Sequence, residues 1–151
     1  MLTKRALRLV SMIFWTALVW ATDPLAGTWT LNLAQSKYSP GPAPKEQTRI
    51  YAEQGEGIKV TVKTVAADGH STTVLISANY DGKDYPVTGS TDYDAVALKR
   101  IDERAAEATL THAGKIVATA RREISDDGRT LTITFKTTDG QQNNTAVYVR
   151  Q

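Results

Sequence analysis

The chain has 151 residues, 18 Lys plus Arg against 16 Asp plus Glu, a formal net charge of +2 and no cysteine. That is one domain's worth of chain. The missing cysteines exclude a disulfide framework, a thiolate metal site and a cysteine nucleophile, and the near-balanced charge lacks the basic excess of a nucleic-acid binder.

Residues 1–21 differ in character from the rest of the chain. Lys4, Arg5 and Arg8 precede an uncharged run from Leu9 to Ala21 that holds Phe14, Trp15 and Trp20. This is the layout of an export signal peptide. The run is shorter than the roughly 20 residues a membrane-spanning helix needs, and Val19 and Ala21 supply the small residues of a cleavage site. Cleavage is expected after Ala21, leaving a domain over 22–151 with no stable membrane span, periplasmic or secreted. An uncleaved anchor or a buried helix is the alternative. The leader holds three cations and no acid, so the +2 of the whole chain becomes −1 for the domain.

Residues 22–151 favour strands: they contain nineteen threonines, six tyrosines and Trp29, and branched and aromatic side chains suit a pleated, half-buried surface. In chain order, strands are predicted near 27–33, 47–53, 58–65, 72–80, 84–88, 95–101, 105–112, 115–124, 130–136 and 144–150. Trp29, Leu31 and Leu33 share one face of the first; Ile58, Val60 and Val62 share one of the third; Leu131, Ile133 and Phe135 share one of the ninth. Each alternates with Thr, Asn or Lys, the pattern of a strand with one wet face. Ile116, Ala118 and Ala120 line a face that ends in Arg122. Residues 103–111 are alanine-rich, but their place in the turn rhythm favours a strand over a helix.

Between these runs lie Gly55-Glu56-Gly57, Asp68-Gly69, Asp81-Gly82, Gly89, Asp102-Glu103, Ala113-Gly114, Asp127-Gly128 and Asp139-Gly140. Asp-Gly between alternating segments signals a hairpin, because a type I′ turn needs positive φ at both central residues. Consecutive strands should therefore be antiparallel neighbours. Pro86 cannot donate to a ladder, so the strand near 84–88 is expected to be short, bulged or at an edge. Residues 34–46, with Pro40, Pro42 and Pro44, form a longer loop that either covers one mouth or simply connects. An open ten-strand meander would leave two exposed edges, which closure into an up-and-down barrel removes. The fold class is all-β.

Gly27-Thr28-Trp29-Thr30-Leu31-Asn32-Leu33 resembles the G-x-W opening strand of the calycins, the superfamily of lipocalins and fatty-acid-binding proteins. The run Ser36 to Pro42, with Tyr85-Pro86-Val87-Thr88-Gly89 and Ala97-Leu98-Lys99-Arg100-Ile101, looks like a group of small exported bacterial proteins. The resemblance implies a lipocalin-like barrel with an interior ligand. In fatty-acid-binding proteins an Arg-x-Tyr pair on the last strand helps hold a ligand carboxylate; here that strand reads Tyr148-Val149-Arg150, in reverse order, and no helix-turn-helix lid follows the first strand.

No catalytic or metal constellation emerges. His70 and His112 are the only histidines, nothing brings them together, and there is no G-x-S-x-G elbow, H-E-x-x-H or phosphate-cradling glycine loop. No cofactor is implied. The charged residues that an interior could use are Arg100, Arg122 and Arg150 on three strands, with Tyr148 beside the last, since guanidinium pairs bidentately with oxyanions. Parity with Ile116, Ala118 and Ala120 favours an inward Arg122. Val147 and Val149 favour an outward Arg150. Trp29, Tyr38, Tyr85, Phe135 and Tyr148 complete the expected ligand contacts.

The leading expectation is a barrel that binds a small, partly apolar or amphipathic molecule inside. A filled barrel acting through its outer surface, as an envelope interaction or inhibitor protein, is the main rival; a calycin-type enzyme is the third. A cavity of roughly 300 Å³ or more separates a carrier from a filled barrel.

Overall fold

The computed structural model describes residues 22–151. The expected signal peptide, residues 1–21, lies outside the described residues. There are ten strands: β1 (Gly27–Leu31), β2 (Glu46–Gln54), β3 (Gly57–Val65), β4 (Ser71–Asn79), β5 (Asp81–Thr88), β6 (Ala95–Arg100), β7 (Ala105–His112), β8 (Lys115–Ile124), β9 (Thr130–Thr137) and β10 (Asn143–Arg150). Every consecutive pair is antiparallel, and β1 also pairs with β10, so the meander closes into a barrel without a free edge. The alanine-rich segment is strand β7, as its place in the turn rhythm predicts.

The first strand is shorter than its alternation suggests. It ends at Leu31, and Leu33–Gln35 form one 3₁₀ turn capped by the Asn32 side chain, which accepts from the Gln35 N–H. Leu33 is thereby turned out of the Trp29 face and left exposed. A short polar side chain that bonds the backbone two or three residues on competes with the ladder, and here it wins.

Strand β5 is bulged as expected, but not at Pro86, which pairs in register with Ala95. Its register against β6 shifts between Asp81 and Asp84, and it meets β4 only at Leu75↔Thr88 and Ile76↔Val87. Asp81-Gly82 lies in this bulge instead of forming the hairpin turn itself. A second shift, between Leu110 and Thr111, changes the facing of β8 near its start. Ile116 is consequently 58% exposed, while Ala118, Ala120, Arg122 and Ile124 are buried. Parity is only as good as an unbroken pleat.

The two ends of the barrel differ. At one end the segment Asp23–Ala26 crosses the opening and buries Leu25 against Trp29, which has no exposed surface. The indole N–H donates to the Leu25 carbonyl at 2.9 Å. The Arg150 guanidinium stacks over the Trp29 ring at 4.1 Å and donates to the carbonyls of Pro24, Ala26 and Gly128 at 2.6, 2.7 and 2.8 Å. Gly27 makes room for this contact: it holds φ +133, and a Cβ there would lie 2.7 Å from Arg150 Nη1. Beside it Asp23 accepts from Arg100 at 2.8 Å and from the Tyr80 hydroxyl at 3.2 Å, and Arg100 lies over the Tyr80 ring. This end is closed by packing and by satisfied polar groups.

At the other end are the connections β1–β2, β3–β4, β5–β6, β7–β8 and β9–β10. The proline-bearing β1–β2 loop does not stray over solvent. It is tied to the β10 side of the mouth by a Lys37↔Thr145 bridge and by Ser39 N–H donating to Asn144 Oδ1 at 3.0 Å.

Candidate functional site

The inward faces are set by register. Arg49 and Tyr51 of β2 stand opposite Val62 and Val60 of β3, which in turn face Val74 and Ile76 of β4. On the far wall Arg122 of β8 stands opposite Ala106 and Ile133, and Tyr148 of β10 opposite Leu131. The interior is thus an apolar ring interrupted by two guanidiniums and several tyrosines. It is not filled: a cavity of about 200 Å³ reaches the mouth at Tyr38 and Tyr93. Its walls are apolar at Val62, Ile76, Leu110, Ile133 and Phe135, and polar at Tyr38, Gln47, Arg49, Arg122, Asn144 and Tyr148. Hollows of about 290 to 340 Å³ also occur, but they lie on the outer wall or at strand ends among exposed charged and threonine side chains.

The cavity falls short of the roughly 300 Å³ expected of a carrier, so that expectation is not met and a drug-sized ligand does not fit; what remains open is a smaller space. An engineered apolar cavity of about 150 Å³ holds a benzene molecule. The space here suits a single ring or a short chain.

Charge inside the barrel is one-sided. No Asp or Glu lines the cavity, and among the described residues neither Arg49 nor Arg122 makes an ion pair. Arg49 has neutral partners only: its Nε donates to Gln47 Oε1 at 3.3 Å and to the Tyr148 hydroxyl at 3.2 Å, and its Nη1 to the Tyr51 hydroxyl at 3.4 Å. The Tyr148 hydroxyl in turn donates to Gln47 Oε1. Arg122 is 4% exposed, rests 5.7 Å from the centre of the Tyr51 ring, and its buried Nη1 has no hydrogen-bond partner.

Tyr51 registers this field. Burial alone would push its phenol up, but the neighbouring Arg49 and Arg122 guanidiniums outweigh burial and hold it below the ordinary phenol value. Tyr38 shifts the other way, raised by burial and by Tyr148 against the pull of Arg49. In an alkaline titration followed by tyrosinate absorbance, Tyr51 should therefore ionise before Tyr38. Tyr51→Phe should delete the early step and Arg122→Gln should move it to higher pH. An early step that persists in Tyr51→Phe would contradict this arrangement.

Of the residues expected to touch a ligand, Tyr38, Arg122, Phe135 and Tyr148 come together around the cavity. Four others are placed elsewhere. Trp29 is sealed into the closed end, and Arg100 is engaged there with Asp23 and Tyr80. Arg150 points inward, not outward as its valine neighbours suggest, but into the same seal; Val149 is the exposed residue, at 37%. Tyr85 bonds Asp81 at 2.6 Å near the closed end, apart from the cavity.

Sequence reasoning missed Arg49, Tyr51, Gln47 and Tyr93. The signal for the first two was present: Arg49-Ile50-Tyr51 is an Arg-x-Tyr pair, on the second strand instead of the last. Among the described residues no group of three or more His, Cys, Asp or Glu side chains converges.

No known protein family matches the chain, and no curated protein matches it. Among solved structures, a redesigned β-barrel is similar over 85% of this chain and 92% of its own, with 14% identity and a TM-score of 0.51. Two further redesigned barrels, mFAP0 and mFAP1, each bound to DFHBI, align over 84% of this chain and 99% and 95% of theirs. Their identities are 16% and 17% and their TM-scores 0.45 and 0.40. At 14% identity the first likeness is one of fold.

Proposed function

We propose that this chain is an exported, calycin-type barrel that binds one small, partly apolar molecule in its interior, and that it acts by binding and not by catalysis. The observation that supports this reading is the unfilled space between the mouth and the Arg49–Arg122 layer, with apolar walls interrupted by a few polar groups. A barrel whose interior served only stability would fill that volume with side chains, because a void forfeits dispersion contacts. Ligand sites instead combine apolar walls with a few placed polar groups. One end is closed by the Trp29–Arg150 seal, so the open mouth is the route in. The export part of the proposal rests on residues 1–21, and the calycin part on Gly27-Thr28-Trp29.

Native mass spectrometry of protein purified from its own host tests the binding reading. A bound mass of single-ring or short-chain size is the expected result. A barrel that arrives empty, and stays empty when offered small amphiphiles, would favour action through the outer surface. Expression with and without residues 1–21 tests export: the full chain should appear outside the cytoplasm, shortened by those residues, and a full-length cytoplasmic product would overturn that part.

A further inference from the structure

We infer that the molecule bound inside is a ring-sized or short-chain oxyanion, its head group seated between Arg49 and Arg122 and its apolar part directed toward Phe135 and the mouth. This rests on the interior-binding reading and adds the chemistry of the ligand.

Taking a guanidinium out of water is expensive unless a counter-charge or a full set of acceptors replaces the hydration. Elsewhere this chain obeys the rule: Arg150 has three carbonyl acceptors, and Arg100 has Asp23. In the cavity the rule is broken at Arg122, and Arg49 meets it only with long neutral contacts. Arg122 is 4% exposed, lines the cavity, has no ion pair, and leaves Nη1 buried without an acceptor. Arg49 has three neutral contacts of 3.2 to 3.4 Å and no anion.

What is missing on both sides is an acceptor with negative charge. An oxyanion supplies it, and the planar fork of guanidinium matches carboxylate, phosphate and sulfate alike. The Tyr51 and Tyr148 hydroxyls, already held by Arg49, add neutral polar groups to the same layer. A cationic head would meet two like charges and no acid, and a neutral one would leave the buried Nη1 charge uncompensated. Size then narrows the class further. About 200 Å³ admits one ring or a few methylenes, not a long acyl chain.

The test compares three probes of one shape, benzoate, benzamide and benzylammonium, titrated into the purified protein and followed by chemical-shift changes. Benzoate should bind at least about ten-fold tighter than benzamide, the scale of one charge-assisted hydrogen bond. Benzylammonium should not saturate. Arg122→Gln should bring benzoate to within about three-fold of benzamide. Should Arg122→Gln fail to fold, the same comparison in Arg49→Gln decides. Equal affinity for benzoate and benzamide, or a benzoate preference that survives both substitutions, overturns the head-group assignment while leaving interior binding in place. If no probe saturates, the interior-binding reading itself fails and the assignment falls with it.

Discussion

Trp29→Ala should lower the unfolding free energy by about 3–5 kcal/mol, the usual cost of truncating a buried aromatic residue to alanine. Three losses coincide at this position. The side chain has no exposed surface, so its removal opens a cavity at the closed end. Its indole N–H satisfies the Leu25 carbonyl, and its ring carries the Arg150 guanidinium at 4.1 Å. Without the ring, Arg150 keeps its three carbonyl acceptors but loses the surface it lies on. Domains of this kind hold only about 5–15 kcal/mol in total, so the variant should be marginal at physiological temperature. Urea denaturation measures it, with Thr30→Ala on the same strand as a control expected within about 0.5 kcal/mol. A shift below about 1 kcal/mol for Trp29→Ala would mean that Leu25, Trp29 and Arg150 do not close this end as described.

Arg122→Met should act in the opposite direction, raising stability by about 1–2 kcal/mol in the protein without ligand. Removing a buried charge that has no partner recovers part of a desolvation penalty of several kcal/mol, and methionine follows much of the arginine stem. Against this stands the contact with the Tyr51 ring, worth about 0.5–2 kcal/mol. The desolvation is the larger effect because Nη1 is buried without a protein acceptor. The same substitution should abolish any preference for anionic ligands, so stability and binding would move apart at one residue, as they do where a site is built at the expense of the core. Thermal melts with and without benzoate check both halves. Destabilisation by about 1 kcal/mol or more would show that Arg122 is a structural group and remove its role in the site.

The ten strands were legible because their signals are local. Alternation in β3 and β9 and the glycine-bearing turns act over a few residues, and each hairpin is specified by its own sequence. Closure was legible by exclusion, since an open meander leaves edges that nothing covers. Arg122 was placed inward from its parity with Ile116, Ala118 and Ala120, although Ile116 itself lies outside. Parity failed where side chains on both faces are apolar or where the pleat is interrupted. Val147 and Val149 flank Tyr148 and made the wrong face of β10 look like the inner one. The bulge at Leu110–Thr111 moved Ile116 to the outside, and the Asn32 cap took Leu33 out of its strand.

The sequence by itself determined the strand count, the turn positions other than Asp81-Gly82, the antiparallel order and the presence of an arginine on an otherwise small apolar face. Only the tertiary structure decided which face of each strand is inside, which end is sealed, and that Arg49 and Arg122, distant in the chain, share one cavity without a carboxylate. Parity tells which residues stand together, since side chains alternate strictly along a strand. It does not tell toward what they point, because that depends on register with neighbours and on where the sheet closes.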